Sequence, residues 1–188
     1  MRLFVAVLVP DDLRPALAAA QERLRAAGAA VKWVAPGNFH FTLKFLGEVP
    51  DGRVQDIEAA LAKIQPGFGA ITLTLRGLGA FPTTRRPRVL WAGVTAGAEP
   101  MQRLAGGVEQ ALTPLGFARE ARPFSAHLTI GRVEQPTPDL TARLEREQAT
   151  EFGAMAVLSF CLVRSMLRPS GPEYTVVTQF ALAGGEER

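Results

Sequence analysis

Two histidines are all this chain has, and each opens the same kind of tetrapeptide: His40-Phe41-Thr42-Leu43 and His127-Leu128-Thr129-Ile130. Imidazole is the side chain whose unperturbed pKa lies in the physiological range. Two of them facing one substrate can divide acid–base work. One, protonated, gives its proton to a leaving oxygen, while the other, neutral, takes a proton from attacking water. The threonine hydroxyls two residues along can donate to non-bridging phosphate oxygens and stabilise charge that builds in a transition state. This chemistry needs neither a metal nor a covalent nucleophile.

Metal ligation is the competing reading of paired histidines. Two imidazoles are too few for a typical site, threonine is a weak ligand, and no carboxylate neighbours either motif in sequence. A lone His-x-Thr in a strand is usually incidental. A matched pair that consumes every histidine in 188 residues points to joint use.

The elements around the motifs alternate between strand and helix patterns. Leu3–Val9 reads as a buried strand, followed by a helix capped by Asp11 or Asp12 that runs to about Ala27 with Leu13, Leu17 and Leu24 on one face. Gly28 ends it. His40–Leu46 is the next strand, Asp51 caps a helix carrying Val54, Ile57, Leu61 and Ile64, and Ile71–Leu75 is a strand. The second half repeats the order. Arg88–Val94 is a strand, and Pro100 starts a helix with Met101, Leu104, Val108 and Leu112 inward. His127–Ile130 lies in a strand, Thr137-Pro138 starts a helix with Leu140 and Leu144 inward, and Ala154–Val163 and Tyr174–Leu182 are strands. The Pro- and Gly-rich stretches Phe81–Pro87 and Arg168–Pro172 read as loops.

Strand alternation puts His40, Thr42 and Lys44 on one face and Phe41, Leu43 and Phe45 on the other. His127 and Thr129 likewise share a face, backed by Leu128 and Ile130. The apolar faces are core, so the His/Thr faces must meet solvent, a partner or a ligand. The two halves, pseudo-repeats at 1–80 and 86–182 of a single domain spanning 1–188, predict an α+β fold with antiparallel sheets and helices outside.

Composition sets the outer bounds. A 47% hydrophobic fraction is ample for a packed interior, and no apolar run approaches the roughly 20 residues of a membrane span. The first apolar run lacks a signal peptide's length and cleavage site, so a cytoplasmic protein is expected. The single Cys161 sits in an apolar run and reads as a buried small hydrophobe. Eighteen of the 21 basic residues are arginine and the net charge is +3, which permits an anionic or nucleic-acid substrate without requiring one.

At the paired motifs the chain resembles the 2H phosphoesterase superfamily. Within it, Asn38-Phe39-His40-Phe41-Thr42-Leu43-Lys44-Phe45-Leu46-Gly47 is similar to the first motif of the RNA 2′,3′-cyclic phosphodiesterases, historically called 2′-5′ RNA ligases. Trp33-Val34-Ala35-Pro36, Arg88-Val89-Leu90-Trp91, Phe124-Ser125-Ala126-His127-Leu128-Thr129-Ile130-Gly131-Arg132, Ser165 and Gly171-Pro172-Glu173-Tyr174 fit as well. The resemblance implies a bilobal, pseudo-two-fold fold in which the motifs face each other across a central cleft and the lobes exchange strands. It implies metal-free, cofactor-free hydrolysis of an RNA terminal 2′,3′-cyclic phosphate to a 2′-phosphate. In that reaction His40 is the proton donor to the departing 3′-oxygen, His127 the acceptor that activates water, and Thr42 and Thr129 hold the phosphate. RNA ends or cyclic nucleotides are then the partners, and a monomer is expected.

Arg132 fits a His-x-Thr-x-x-Arg extension and is a candidate substrate contact, with a surface salt bridge as the alternative. Strict alternation turns it away from the cleft, and a bulge at Gly131 would redirect it. Lys44 is expected at the cleft's border. Trp33, Phe39 and Tyr174 are candidates to stack on a nucleobase, with core packing the alternative. Trp91 is expected in the core. Arg85, Arg86 and Arg88 form a basic loop that either tracks an RNA backbone or is simply solvated. Two rival functions use the same surface: 2′-5′ ligation or 2′-5′ phosphodiester cleavage as the main role, and a non-catalytic nucleotide- or RNA-binding module.

Overall fold

The computed structural model describes residues 1–184, and the last four residues of the expected domain lie outside it. In chain order the elements are β1 (Arg2–Leu8), α1 (Arg14–Arg25), β2 (Ala30–Trp33), β3 (His40–Glu48), α2 (Val54–Ile64), β4 (Ile71–Thr83), β5 (Arg86–Ala96), α3 (Ala98–Leu112), β6 (His127–Gln135), α4 (Pro138–Arg146), β7 (Glu151–Val157), β8 (Ser159–Arg168) and β9 (Gly171–Ala181). They form the α+β architecture that the alternating patterns predict. One sheet has the order β3-β1-β8-β9 and the other β2-β6-β5-β4-β7, with every pairing antiparallel.

Sheet membership does not follow the halves of the sequence. β4, from the first half, pairs with β5 and β7 in the second sheet, while β8 and β9 join β1 in the first. The helices cross over too. α2 and α3 pack on each other and against β9 and β3, whereas α1 and α4 pack together against β6, β7 and β4. Each sheet therefore buries one face under a helix pair, and one contiguous apolar core runs through both halves, including Leu3, Leu17, Phe41, Leu61, Leu104, Leu128 and Leu144. A second, small cluster of Phe4, Ala6, Cys161 and Val163 lies on the other face of the first sheet, with Tyr174 against it.

Several local expectations are corrected. None of Asp11, Asp12 and Asp51 caps its helix. α1 starts after Leu13 with Pro15 in its first turn and no side-chain cap, and Asp11 instead pairs with Arg14 at 2.5 Å. Asp51 opens a 3-10 turn and stands 3.5 Å from the N-terminal ammonium. Thr137 does cap α4, accepting from the amide of Leu140. β2 has no counterpart in the sequence reading, because four residues are too few to show a period.

Phe81–Pro87 is a paired ribbon and not a loop. Pro82 faces Pro87 and Thr83 faces Arg86. The prolines are tolerated because β7 stops pairing with β4 at Arg76 and β6 reaches β5 only from Val89, so the ribbon overhangs with no outer strand awaiting its N–H groups. Likewise β8 and β9 pair up to Arg168 and Gly171. The apolar run Ala154–Val163 breaks at Leu158, where the chain leaves the second sheet and enters the first.

Candidate active site

Each histidine begins its strand, and each strand bulges at the same place. In β3, Ala6 faces Thr42 and Val5 faces Lys44, so Leu43 is the extra residue. In β6, Trp91 faces Thr129 and Leu90 faces Gly131, so Ile130 is extra. A bulge resets the alternation. Leu43 and Lys44 both turn inward, as do Ile130 and Gly131, and the next residue returns to the histidine's face. That residue is Phe45 in the first motif and Arg132 in the second. Arg132 thus reaches the cleft through the bulge, as Gly131 allowed. The second bulge is held from behind: Gln21 Nε2 donates to the carbonyls of Ile130 (2.8 Å) and Val34 (2.7 Å).

The same reset moves Lys44 off the histidine's face. It is only 3% exposed, and its Nζ donates to the Ala118 carbonyl at 2.7 Å and lies 3.4 Å from Glu109. Glu109 is held below the usual carboxylate range, first by the Glu120 amide it accepts from and then by Lys44. The expected place of Lys44 at the cleft is therefore corrected. It ties β3 to α3 and to the chain around Ala118.

The imidazoles are held alike. His40 Nδ1 lies 2.7 Å from the Asn38 carbonyl and His127 Nδ1 lies 2.8 Å from the Ser125 carbonyl. A carbonyl only accepts, so Nδ1 carries the proton and Nε2 is left as the atom that exchanges one. The surroundings differ. His40 packs against Phe4 (4.9 Å between ring centroids) and edge-on against Tyr174 (5.3 Å), whereas His127 meets Phe81 edge-on at 5.0 Å. Burial lowers the pKa of His40, partly opposed by its bond to Asn38. Burial also raises the Tyr174 phenol, against the pull of Arg132 and Arg2, and pushes the Cys161 thiol up to about 11.

Both motifs line one cavity of about 460 Å³. His40, Thr42, His127 and Thr129 meet there with Arg132, and Arg2 and Lys32 add positive charge. No carboxylate lines it among the described residues, and no three His, Cys, Asp or Glu side chains come close enough together to hold a metal. The arrangement offers an anion two imidazoles and two hydroxyls in a cationic setting.

A family model described as LigT-like phosphoesterase matches residues 7–91 and 93–174. The chain belongs to the LigT-like phosphoesterase family. It is 40% identical to an RNA 2′,3′-cyclic phosphodiesterase of Archaeoglobus fulgidus over 93% of this chain and 96% of that one, and 39% identical to one of Thermus thermophilus over 100% and 93%. A crystal structure of a Thermus thermophilus protein superposes with a TM-score of 0.82 at 36% identity, covering 97% of this chain and 98% of that one. Escherichia coli LigT complexed with 3′-AMP gives 0.78 at 26%, covering 96% and 97%.

Of the other residues singled out in the sequence of this LigT-like chain, Trp33 and Tyr174 line the cavity, with Arg25 stacked over the Trp33 ring at 5.1 Å. Phe39 does not. It is 1% exposed in the core, its carbonyl accepting from the Val9 amide, because the residue before His40 faces inward. Trp91 is not in the core. Leu90 and Ala92 turn inward, so Trp91 lies half-buried on the Thr129 face, its indole N–H enclosed without a partner among the described residues. The sequence reading missed Gln21, Arg2, Phe4 and Phe81. Gln21 had a signal, a polar side chain on the apolar face shared by Leu17, Ala20 and Leu24. No helix among the described residues is long and apolar enough to cross a membrane.

Proposed function

We propose that this chain hydrolyses the terminal 2′,3′-cyclic phosphate of RNA to a 2′-phosphate, with His40 as proton donor and His127 as acceptor. The observation that carries the reading is the matched pair of imidazoles. Each is locked through Nδ1 onto a backbone carbonyl and faces one cationic cavity that no carboxylate lines among the described residues. Its relatives' name, RNA 2′,3′-cyclic phosphodiesterase, supports the substrate.

Thr42, Thr129 and Arg132 hold the non-bridging oxygens and stabilise the charge that grows on them. His127 Nε2 takes a proton from water as the water oxygen bonds to phosphorus. The bond from phosphorus to the 3′-oxygen breaks, and His40 Nε2–H protonates that oxygen. The products are a 3′-hydroxyl and a 2′-phosphate, and each histidine ends in its partner's starting protonation state, so a proton must pass through solvent before the next cycle. The pseudo-two-fold cavity is unequal where it matters. Phe45 stands at the position equivalent to Arg132, and His40 is walled by more aromatic surface than His127, so the two imidazoles have different environments. Burial makes the His40 imidazolium the stronger acid and the less populated one, and its assignment as donor follows the family resemblance.

The deciding experiment incubates the protein with an oligoribonucleotide ending in a 2′,3′-cyclic phosphate and identifies the product. A 2′-phosphate supports the assignment. A 3′-phosphate overturns the direction of bond cleavage, and saturable binding without turnover overturns the enzyme.

A further inference from the structure

The acid–base reading leaves an aromatic surface on the second sheet unused. Trp91 stands between Gly79 on β4 and Thr129 on β6, on the face that carries His127. Glycine at 79 and 93 lets the indole lie against the sheet: a Cβ at Gly79 would be 2.3 Å from the ring and one at Gly93 3.2 Å from it. Phe81, 37% exposed, packs on Trp91 at 5.3 Å and touches His127 at 5.0 Å, so the surface is continuous with the cavity. Past Trp91 it opens into a second hollow of about 440 Å³, floored by the glycines and edged by Arg76 and Thr84. The ribbon beyond Phe81 carries Arg85, Arg86 and Arg88, all exposed. At the matching position the first sheet has no such platform, its aromatic pair Phe4 and Tyr174 packing instead on His40 itself. Where Trp91 faces Thr129, Ala6 faces Thr42, and Cys161 stands in the place of Gly79.

We propose that Phe81 and Trp91 form a platform for the nucleobase of the ribonucleotide on the 5′ side of the cyclic-phosphate end, with the arginines of the ribbon along its backbone. The proposal rests on the reading of the cavity as the site for that end. The cavity's volume suits one nucleotide and not a strand, so the rest of the RNA must leave over a rim. This rim joins a stacked aromatic pair in contact with His127 to three exposed arginines, whereas the exposed ring of Phe45 is already covered by Arg2 at 5.1 Å. Stacking on an aromatic face accepts any base, and guanidinium groups follow phosphates whatever the sequence. The inference makes the enzyme one that prefers RNA ends to free cyclic nucleotides.

The test compares kcat/KM on three substrates: adenosine 2′,3′-cyclic phosphate, a dinucleotide ending in the cyclic phosphate, and the same dinucleotide with an abasic 5′ residue. The abasic compound keeps the backbone charge and loses only the stacking base. The wild-type protein is expected to favour the base-bearing dinucleotide over the abasic one by about tenfold, the size of one base–aromatic contact. Phe81→Ala should bring that ratio near one, and Trp91→Phe, which keeps an aromatic face but a smaller one, should lower it less. Phe81 touches His127, so absolute rates will shift, but the ratio is internal to each protein. Arg85→Ala with Arg86→Ala should lower both dinucleotides relative to the mononucleotide and leave the ratio alone. A wild-type ratio of one, or a ratio unchanged in Phe81→Ala, overturns the platform while hydrolysis of the mononucleotide stands. No turnover of any cyclic phosphate overturns the catalytic reading, and the platform with it.

Discussion

The backbone carbonyl of Asn38 accepts a hydrogen bond from His40 Nδ1 at 2.7 Å, across only two residues. Asn38 is itself anchored, its Nδ2 donating to the Pro172 carbonyl at 2.9 Å, so the turn that fixes the imidazole is tied to the β8–β9 hairpin. Ser125 holds His127 in the same way. Both rings are thereby set in one tautomer before substrate arrives, which is the preorganisation that general acid–base catalysis rewards.

His40→Ala and His127→Ala are each expected to lower kcat by between about a hundredfold and ten-thousandfold on a 2′,3′-cyclic nucleotide. Neither side chain belongs to the main core, so far-UV circular dichroism should match the wild type. Near-normal turnover by either variant would remove the acid–base pair.

The pH behaviour of His40 follows from its enclosure. Burial disfavours the imidazolium, so its titration, followed by NMR, should fall below that of an ordinary histidine. With two histidines in the chain, His127→Ala makes the assignment direct. Tyr174→Ala admits water to the ring and should move the titration upward. The linkage has a defined sign. The unfolded chain binds this proton at a higher pH than the folded one, so His40 removes stability as pH falls from the ordinary histidine range toward its depressed folded value. Thermal unfolding measured across that window should show a shallower acid decline in His40→Gln.

The two bulges separate two basic residues that look alike in sequence. Arg132→Ala should lower kcat/KM by about ten- to a hundredfold, the worth of hydrogen bonds to a charged group, and Arg132→Lys should restore only part because it loses the guanidinium fork. Lys44→Met should leave kcat/KM near wild type and destabilise the fold by about 1–3 kcal/mol, since the Ala118 carbonyl loses its donor. The reverse pattern, with Lys44 controlling activity and Arg132 stability, would contradict the register of both strands.

Activity should persist after exhaustive treatment with EDTA, because among the described residues no carboxylate or thiolate stands with the imidazoles in the cavity. Loss in chelator with recovery on adding a divalent ion would require ligands from elsewhere and refute the mechanism.

Much of the fold was legible because amphipathic periods survive in sequence. The inward residues of α2, α3 and α4 fall where their spacing places them, and Leu128 and Ile130 are buried behind His127 and Thr129. The histidine pair was legible for a different reason: a rare, chemically distinctive residue occurred twice in one context. Strand alternation failed just past the motifs, one residue on at Lys44 and two on at Arg132, because a bulge is a property of two paired strands, and only Gly131 hinted at one. The loop assigned at Phe81–Pro87 failed similarly. Proline marks a missing donor, but only the pairing of neighbouring strands decides whether a partner needed it.

The sequence by itself determined the candidate acid–base groups, their apolar backing and the repeated order of elements, since these depend on residue type and local periodicity. Tertiary structure alone decided which strands share a sheet, that Phe45 and Arg132 occupy equivalent places, and that His40 is enclosed by Phe4 and Tyr174 while His127 faces Phe81. Those relations join residues far apart in the chain. They arise from closing long loops and packing two sheets against their helix pairs, a cooperative outcome that no local pattern encodes.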